Sequence, residues 1–194
     1  GASFNEVFFS EVRVPDSHRL GDVNGGWDVA LTTLMNERAS IGGASGGGLG
    51  AMSTARLAAM LDHLGLSGDP VFRQELMRIH VALRVARLTN QRALDKIKAG
   101  QLPGPELSTG KLALTQNLTA IAQLVSRALG ARLTADTGEW GTFAWTRFVL
   151  GTPGYRIAGG SDEVLRNIVG ERVLGLPKEP GDNAKVPFRD SLKN

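Results

Sequence analysis

Residues Ala158 to Pro177 read AGGSDEVLRNIVGERVLGLP. Two glycines and Ser161 precede a run with helical apolar periodicity, which is the pattern of a capped helix start. Gly175 and then Pro177 predict where this helix ends. Backbone N–H groups at such a start lie at the positive end of the helix dipole, where an anionic or hydrogen-bond-accepting ligand is stabilised. An ordinary capped helix has the same spacing, so the pattern alone leaves both interpretations open.

Composition narrows the class of protein. The 194 residues are 42% hydrophobic and 21% charged, which is ordinary for one globular domain with a well-buried core. Acidic and basic residues are interleaved around a net charge of +3, so no basic stripe predicts a nucleic-acid partner. Cysteine is absent and the three histidines lack the spacing of metal ligands. With no membrane-length apolar run and no secretory pattern, we expect a cytoplasmic protein without a membrane span.

Hydrophobic periodicity predicts a short β segment followed by helices. Phe4–Val14 alternates apolar and polar side chains, as one or two strands do. Helices are predicted near Gly26–His63, Pro70–Ala99, Pro105–Asp136, Trp140–Leu150 and Ser161–Leu174, with Asp69 capping the second. The short links between them predict an all-α, antiparallel helical bundle. We therefore divide the chain into residues 1–22 as the end of a β domain, 23–177 as the bundle and 178–194 as a polar tail.

Two segments have alternative interpretations. Gly42–Gly50 is glycine-rich, like a phosphate-binding loop, yet it lacks the Gly-Lys-Ser/Thr ending and a preceding strand. We expect instead a helix whose small residues admit a neighbouring helix or a flat ligand. Trp140, Trp145 and Phe148 either shape a wide pocket or pack at a helix interface, and we expect packing.

Glu37 is the acidic residue whose position is most unusual. It shares one predicted helical stripe with Ala30, Leu34 and Ile41, a spacing typical of a buried face. A carboxylate on such a face must form a pair, take up a proton or face a pocket. Burial would raise its pKa toward that of a useful general base. A structural or rim glutamate fits the same spacing, so the alternatives stay open at this point.

The Ala158–Pro177 stretch closely resembles the C-terminal signature of FAD-dependent acyl-CoA dehydrogenases, especially actinobacterial members. Phe4–Pro15 is similar to the last strands of that family's middle β domain, and Gly25–Trp27 to the start of its C-terminal helical domain. The resemblance implies FAD as cofactor, an acyl-CoA substrate and α,β-desaturation. It also implies electron transfer to an electron-transfer flavoprotein or a similar acceptor. Since most of the β domain is missing, we expect this chain alone to be inactive.

The same resemblance implies which residue is the catalytic base. Most family members carry a glutamate immediately before the Gly-Thr of the signature, and the corresponding residue here is Gly159. A minority, including isovaleryl- and long-chain-type enzymes, carries the base on the first long helix, immediately before an arginine. Leu34–Ala39, which reads LMNERA, is similar to that pattern. The resemblance thus implies Glu37 as the α-proton base, supported by Arg38.

Flavin contacts correspond only in part. Gly160, Ser161 and Glu163 occupy positions at which the family contacts FAD. Residues 61–65 lack the arginine that reaches the FAD pyrophosphate across the subunit interface in many members, and the Gln-x-x-Gly-Gly-x-Gly segment is replaced. These departures are similar to those of paired subunits in actinobacterial heterotetramers that act on steroid side chains.

The resemblance implies that this domain forms a homo- or hetero-oligomer, a dimer or tetramer. Glu37 together with the absent pyrophosphate arginine suits the base-supplying member of a pair. Two alternatives differ in chemistry: a non-catalytic helical partner subunit, or a flavin oxidase or monooxygenase of the same fold.

Overall fold

The described residues form six α-helices and the 3₁₀ turns Asp16–His18 and Gly130–Leu133. The computed structural model describes residues 5–42, 53–100, 104, 108–139, 142–178 and 189, and residues 35–42 and 142–144 by backbone alone. The helices are α1 (Gly26–Gly42), α2 (Thr54–His63), α3 (Pro70–Lys98), α4 (Ser108–Leu129), α5 (Thr142–Tyr155) and α6 (Asp162–Arg172). The predicted all-α fold is confirmed. Among the described residues, no helix is both long and apolar enough to cross a bilayer.

Local capping chemistry sets the helix starts that the sequence predicts most sharply. Asp69 has an extended backbone, and its carboxylate accepts hydrogen bonds from the N–H groups of Val71 (2.8 Å) and Phe72 (3.3 Å). Pro70 stands at the first helical position, where no N–H partner is needed. Ser161 caps α6 in the same way, with its hydroxyl 3.3 Å from the N–H of Val164. These two predicted helix starts are confirmed.

The prediction of a single helix over Gly26–His63 is wrong. Ser53 has an extended backbone, with φ −87° and ψ 116°, and its hydroxyl accepts a hydrogen bond from the N–H of Arg56. A new helix therefore begins at Thr54, because a capping serine needs a non-helical conformation. The glycine-rich segment predicted to be helical falls almost entirely within 43–52, outside the described residues.

Two further helices differ from prediction at their ends. Helix α4 stops at Leu129, since Gly130 has a positive φ of 51° and opens the 3₁₀ turn Gly130–Leu133. Helix α5 continues to Tyr155, past the predicted end, with Pro153 inside it. A proline so near the C-terminal end removes only one backbone donor from the helix.

Residues 5–23 are exposed throughout. The predicted strands do not form within 5–14, because no neighbouring strand among the described residues provides hydrogen-bond partners. Val7, Phe8 and Phe9 are each more than two-thirds exposed. One 3₁₀ turn, Asp16–His18, interrupts the segment. The predicted domain boundaries at 22 and 177 stay predictions.

Helix α4 is the central element, and it contacts α1, α3, α5 and α6. Its Ile121, Leu124 and Val125 pack with residues of α2, α3 and α5, among them Leu57 and Trp145. Burial of these apolar side chains is the main stabilising contribution to such a core. Trp145 is buried and meets Phe148 edge to face at 5.7 Å, while Trp140 lies outside the described residues. Packing at a helix interface is thus the role of Trp145, as expected.

Candidate functional site

The turn between α5 and α6 holds three of the residues that the sequence singled out. Gly159 and Gly160 have φ values of +67° and +99°, a region that favours glycine. Ser161 follows as the N-cap of α6, and Glu163 lies in the first turn of that helix. The structure therefore brings Gly160, Ser161 and Glu163 together at one helix start, as their adjacency in sequence requires.

The first backbone N–H groups of α6 already have hydrogen-bond acceptors within the protein. The N–H of Asp162 donates to the carbonyl of Arg156 at 3.1 Å, and the N–H of Val164 donates to the Ser161 hydroxyl. The pKa of the exposed Glu163 carboxyl lies below its ordinary value, first because its own backbone N–H donates a hydrogen bond to it, and then because the Ser161 side chain does. Just before the helix, the N–H groups of Gly159, Gly160 and Ser161 have no acceptor among the described residues. The available donors thus belong to the glycine turn rather than to the helix.

A buried ionic cluster lies directly beneath this turn. Lys111 of α4 is 1% exposed and Asp162 is 2% exposed. The Lys111 ammonium donates to the carbonyl oxygen of Gly160 at 2.7 Å and lies 3.6 Å from the Asp162 carboxylate. Thr115, one turn further along α4, donates its hydroxyl proton to the same carboxylate at 2.8 Å. We call Lys111 and Asp162 the buried pair.

Arg156 is a second cation that binds the carboxylate of the buried pair. Its Nε donates to the second oxygen of Asp162 at 2.9 Å, while about half of the arginine side chain stays exposed. Burial alone would raise the pKa of Asp162, but the Arg156 and Thr115 hydrogen bonds and the charge of Lys111 outweigh it. The pKa of Asp162 therefore lies below its ordinary value, and the same bond raises the pKa of Arg156. The carboxylate is ionised and held from three sides.

Sequence reasoning missed the buried pair, although a signal for it exists. Lys111 stands on one face of α4 with Thr115, Leu118 and Ala122, at spacings of four, three and four. A lone lysine on a face otherwise composed of apolar and small residues needs a buried anionic or carbonyl partner. The identity of that partner is not readable from the spacing, because Asp162 lies on another helix.

Glu37 and Arg38 lie in the C-terminal half of α1, where the structure describes the backbone alone. Two members of the stripe that contains Glu37 have described side chains: Ala30 is exposed and Leu34 is 41% exposed. The expected burial of Glu37 itself stays a prediction, because its side chain lies outside the described residues.

The model of the acyl-CoA dehydrogenase C-terminal domain matches residues 24–174, most of the chain. The chain belongs to the acyl-CoA dehydrogenase family. Acyl-CoA dehydrogenase IpdE1 of Mycobacterium tuberculosis is 33% identical over 92% of this chain and 45% of its own length. This chain thus spans less than half of that acyl-CoA dehydrogenase relative.

Solved acyl-CoA dehydrogenase structures have the same fold. A structure described as the Tcur3481-Tcur3483 steroid ACAD (acyl-CoA dehydrogenase) aligns with a TM-score of 0.75 and 26% identity, over 89% of this chain and 45% of that one. The ChsE4-ChsE5 complex from Mycobacterium tuberculosis aligns with a TM-score of 0.64 and 25% identity, over 89% of this chain and 46% of that one. The first structure is described as a steroid enzyme, and the second as a complex of two proteins.

Acyl-CoA dehydrogenases normally use FAD, and the glycine turn can be tested for its fit to that group. The unpaired N–H groups of Gly160 and Ser161 suit the hydrogen-bond acceptors of a flavin ring. An anionic pyrophosphate fits less well, because the carboxylates of Asp162 and Glu163 already compensate the dipole of α6. The residues present therefore fit the flavin ring portion of FAD at this turn.

Proposed function

We propose that this chain is the C-terminal helical domain of an FAD-dependent acyl-CoA dehydrogenase that desaturates acyl-CoA thioesters between Cα and Cβ. The observation that carries the proposal is the glycine turn of a family member, with unpaired N–H groups at Gly160 and Ser161. Gly160, Ser161 and Glu163 are the residues we assign to flavin contact. Glu163 contributes through its place in the first turn of α6, beside the Ser161 hydroxyl.

Glu37 is our proposed base, with Arg38 supporting it. The Glu37 carboxylate would take the α-proton of the thioester, while a hydride leaves Cβ and the new Cα–Cβ double bond forms. FAD, when bound, supplies the acceptor for that hydride. The resemblance of Leu34–Ala39 to the minority pattern supports this assignment, and so does the open face of α1 at Leu34, which leaves room for a substrate. An electron-transfer flavoprotein or similar acceptor would reoxidise the enzyme.

We further infer that the domain works within an oligomer, in the cytoplasm. The ChsE4-ChsE5 relative is a complex of two proteins, and residues 61–65 lack the arginine that reaches the FAD pyrophosphate in many members. A second subunit that supplies this cation would complete the cofactor site. Because a steroid enzyme is among the relatives, steroid acyl-CoA thioesters belong with fatty acyl-CoA in the substrate panel.

The test follows flavin absorbance in the whole protein that carries this chain, alone and co-expressed with the product of an adjacent family gene. We expect flavin that is bleached by one or more acyl-CoA thioesters under anaerobic conditions. Glu37→Gln should slow the bleaching by about 10²–10⁴-fold, the usual contribution of a general base. The matched control is Glu75→Gln, which removes a carboxylate of α3 that pairs with Arg127.

Other results of the bleaching experiment would each contradict part of this proposal. Full bleaching in the Glu37→Gln protein would remove Glu37 from the mechanism. An unchanged rate with a flavin held entirely by the partner would indicate a non-catalytic helical subunit. Rapid oxygen consumption during turnover would indicate a flavin oxidase or monooxygenase.

A further inference from the structure

We propose that Lys111 is a positioning residue for the flavin, acting through the carbonyl oxygen of Gly160; this inference rests on the proposed function. Lys111 lies in α4, beneath the glycine turn, and has no exposed surface with which to contact a ligand directly. Its effect on the cofactor would therefore pass through the backbone that it holds.

The ammonium of Lys111 has a specific set of partners. It lies 2.7 Å from the carbonyl oxygen of Gly160, 3.5 Å from that of Arg156 and 3.6 Å from the carboxylate of Asp162. A buried cation needs such partners, since its desolvation is otherwise costly. The Gly160 carbonyl is the shortest of the three contacts, so it is the point at which Lys111 fixes the turn.

The peptide group that joins Gly160 to Ser161 links the Lys111 contact to a hydrogen-bond donor on its other side. The carbonyl of Gly160 and the N–H of Ser161 belong to one planar peptide group, and no cis peptide occurs among the described residues. In a trans peptide the C=O and N–H bonds point in opposite directions. Because Lys111 binds the oxygen from the protein side, the Ser161 N–H points away from Lys111. It has no acceptor among the described residues.

The buried pair also limits the freedom of the turn. Two successive glycines have more accessible conformations than any other dipeptide, and ordering them on binding would weaken affinity. Here the turn is held at Gly160 by Lys111 and at Asp162 by Thr115 and Arg156. A donor already held in place binds an acceptor without that ordering cost. A cation on the carbonyl also polarises the peptide, which strengthens the Ser161 N–H as a donor.

The experiment measures FAD affinity in the whole protein that carries this chain, by flavin fluorescence after the cofactor has been removed. Lys111→Met keeps most of the side-chain length and removes the ammonium group, while Asp162 keeps its bonds to Arg156 and Thr115. We expect the dissociation constant for FAD to rise about tenfold, equivalent to one well-placed hydrogen bond. We also expect a shift of the bound-flavin absorption bands, because the donor to the ring changes.

Leu124→Ala is the matched control for lost stability. Leu124 lies in the same helix, is fully buried and packs in the apolar core rather than under the turn. It should lower thermal stability while leaving both the FAD dissociation constant and the flavin spectrum unchanged. If Lys111→Met and Leu124→Ala change FAD binding in proportion to their loss of stability, Lys111 is only structural and the inference is overturned.

A measurement on the unmutated protein applies even where Lys111→Met does not fold. With ¹⁵N-labelled serine, the Ser161 amide should shift downfield and exchange more slowly with solvent when FAD is added. An unchanged Ser161 amide in protein that binds FAD would overturn the role of this donor while leaving the proposed function intact. Wild-type protein that binds no FAD, alone or with its partner, would instead overturn the proposed function.

Discussion

The side-chain ammonium of Lys111 lies 2.7 Å from the backbone carbonyl oxygen of Gly160, a residue 49 positions away in the sequence. This contact joins the central helix α4 to the turn that precedes α6. It also places a cation beside Asp162, whose carboxylate is paired from three sides. The turn that we assign to flavin binding is thus supported by a buried ionic cluster, which links the stability of the fold to the shape of the site.

Acid should weaken the fold through Asp162. Its pKa in the folded chain lies below the ordinary value of 3.8, so the stability it contributes is complete above that value. This contribution is lost as the pH falls through the folded-state pKa, where the native carboxylate takes up a proton. We expect the difference in unfolding free energy between wild type and Asp162→Asn to narrow as the pH falls below about 4.

Urea unfolding from pH 7 to pH 3 measures this difference directly. Asp22→Asn, at an exposed position before α1, serves as the control, and its difference from wild type should stay small throughout. A difference between wild type and Asp162→Asn that holds steady down to pH 3 would contradict the role of the ionised carboxylate.

Alanine at two glycines should change stability in opposite directions. Gly160→Ala places a side chain at φ +99°, and although its Cβ meets only Leu165 at 3.8 Å, the backbone conformation costs about 1–3 kcal/mol. Gly151→Ala lies within α5, with open space around its Cβ, and should stabilise by about 0.5–1 kcal/mol. Thermal unfolding of the two variants side by side tests this, and equal effects would show that the positive φ at Gly160 is unimportant.

Truncation of the core should be costly only where the side chain is enclosed. Leu124→Ala, at a fully buried position of α4, should lower the unfolding free energy by about 2–5 kcal/mol. Leu150→Ala, at a position of α5 that is 76% exposed, should change it by less than about 0.5 kcal/mol. Chemical denaturation of this chain provides both numbers. A large loss for Leu150→Ala would reveal that a second copy covers this face.

Some features were predictable from sequence because their cause is local. Asp69 and Ser161 cap the residues immediately after them, so the starts of α3 and α6 follow from side chains within three positions. Gly175, which was predicted to stop α6, takes φ +69°, but the helix already ends three residues earlier, at Arg172. Gly160, Ser161 and Glu163 lie within four positions of one another, so they had to share one helix start.

Other features depend on what the folded chain places next to each residue. Apolar spacing predicted a buried face of α1 through Ala30 and Leu34, but Ala30 is exposed and Leu34 is 41% exposed. Ser53 breaks the predicted first helix because its hydroxyl caps the following turn, an outcome that helical periodicity does not encode. The alternation in residues 5–14 predicted strands, yet strands require a partner that is not among the described residues.

The family, the helical class and the start of each well-capped helix could be read from the sequence, because these depend on residue types at short spacing. Only the tertiary structure decided that Lys111 pairs with Asp162 and holds Gly160. The partners lie 49 and 51 residues from Lys111 along the chain, and many acidic and carbonyl groups were equally available to a buried lysine. Packing of α6 against α4 made the choice, since desolvating Lys111 is tolerable only where these particular oxygens meet it.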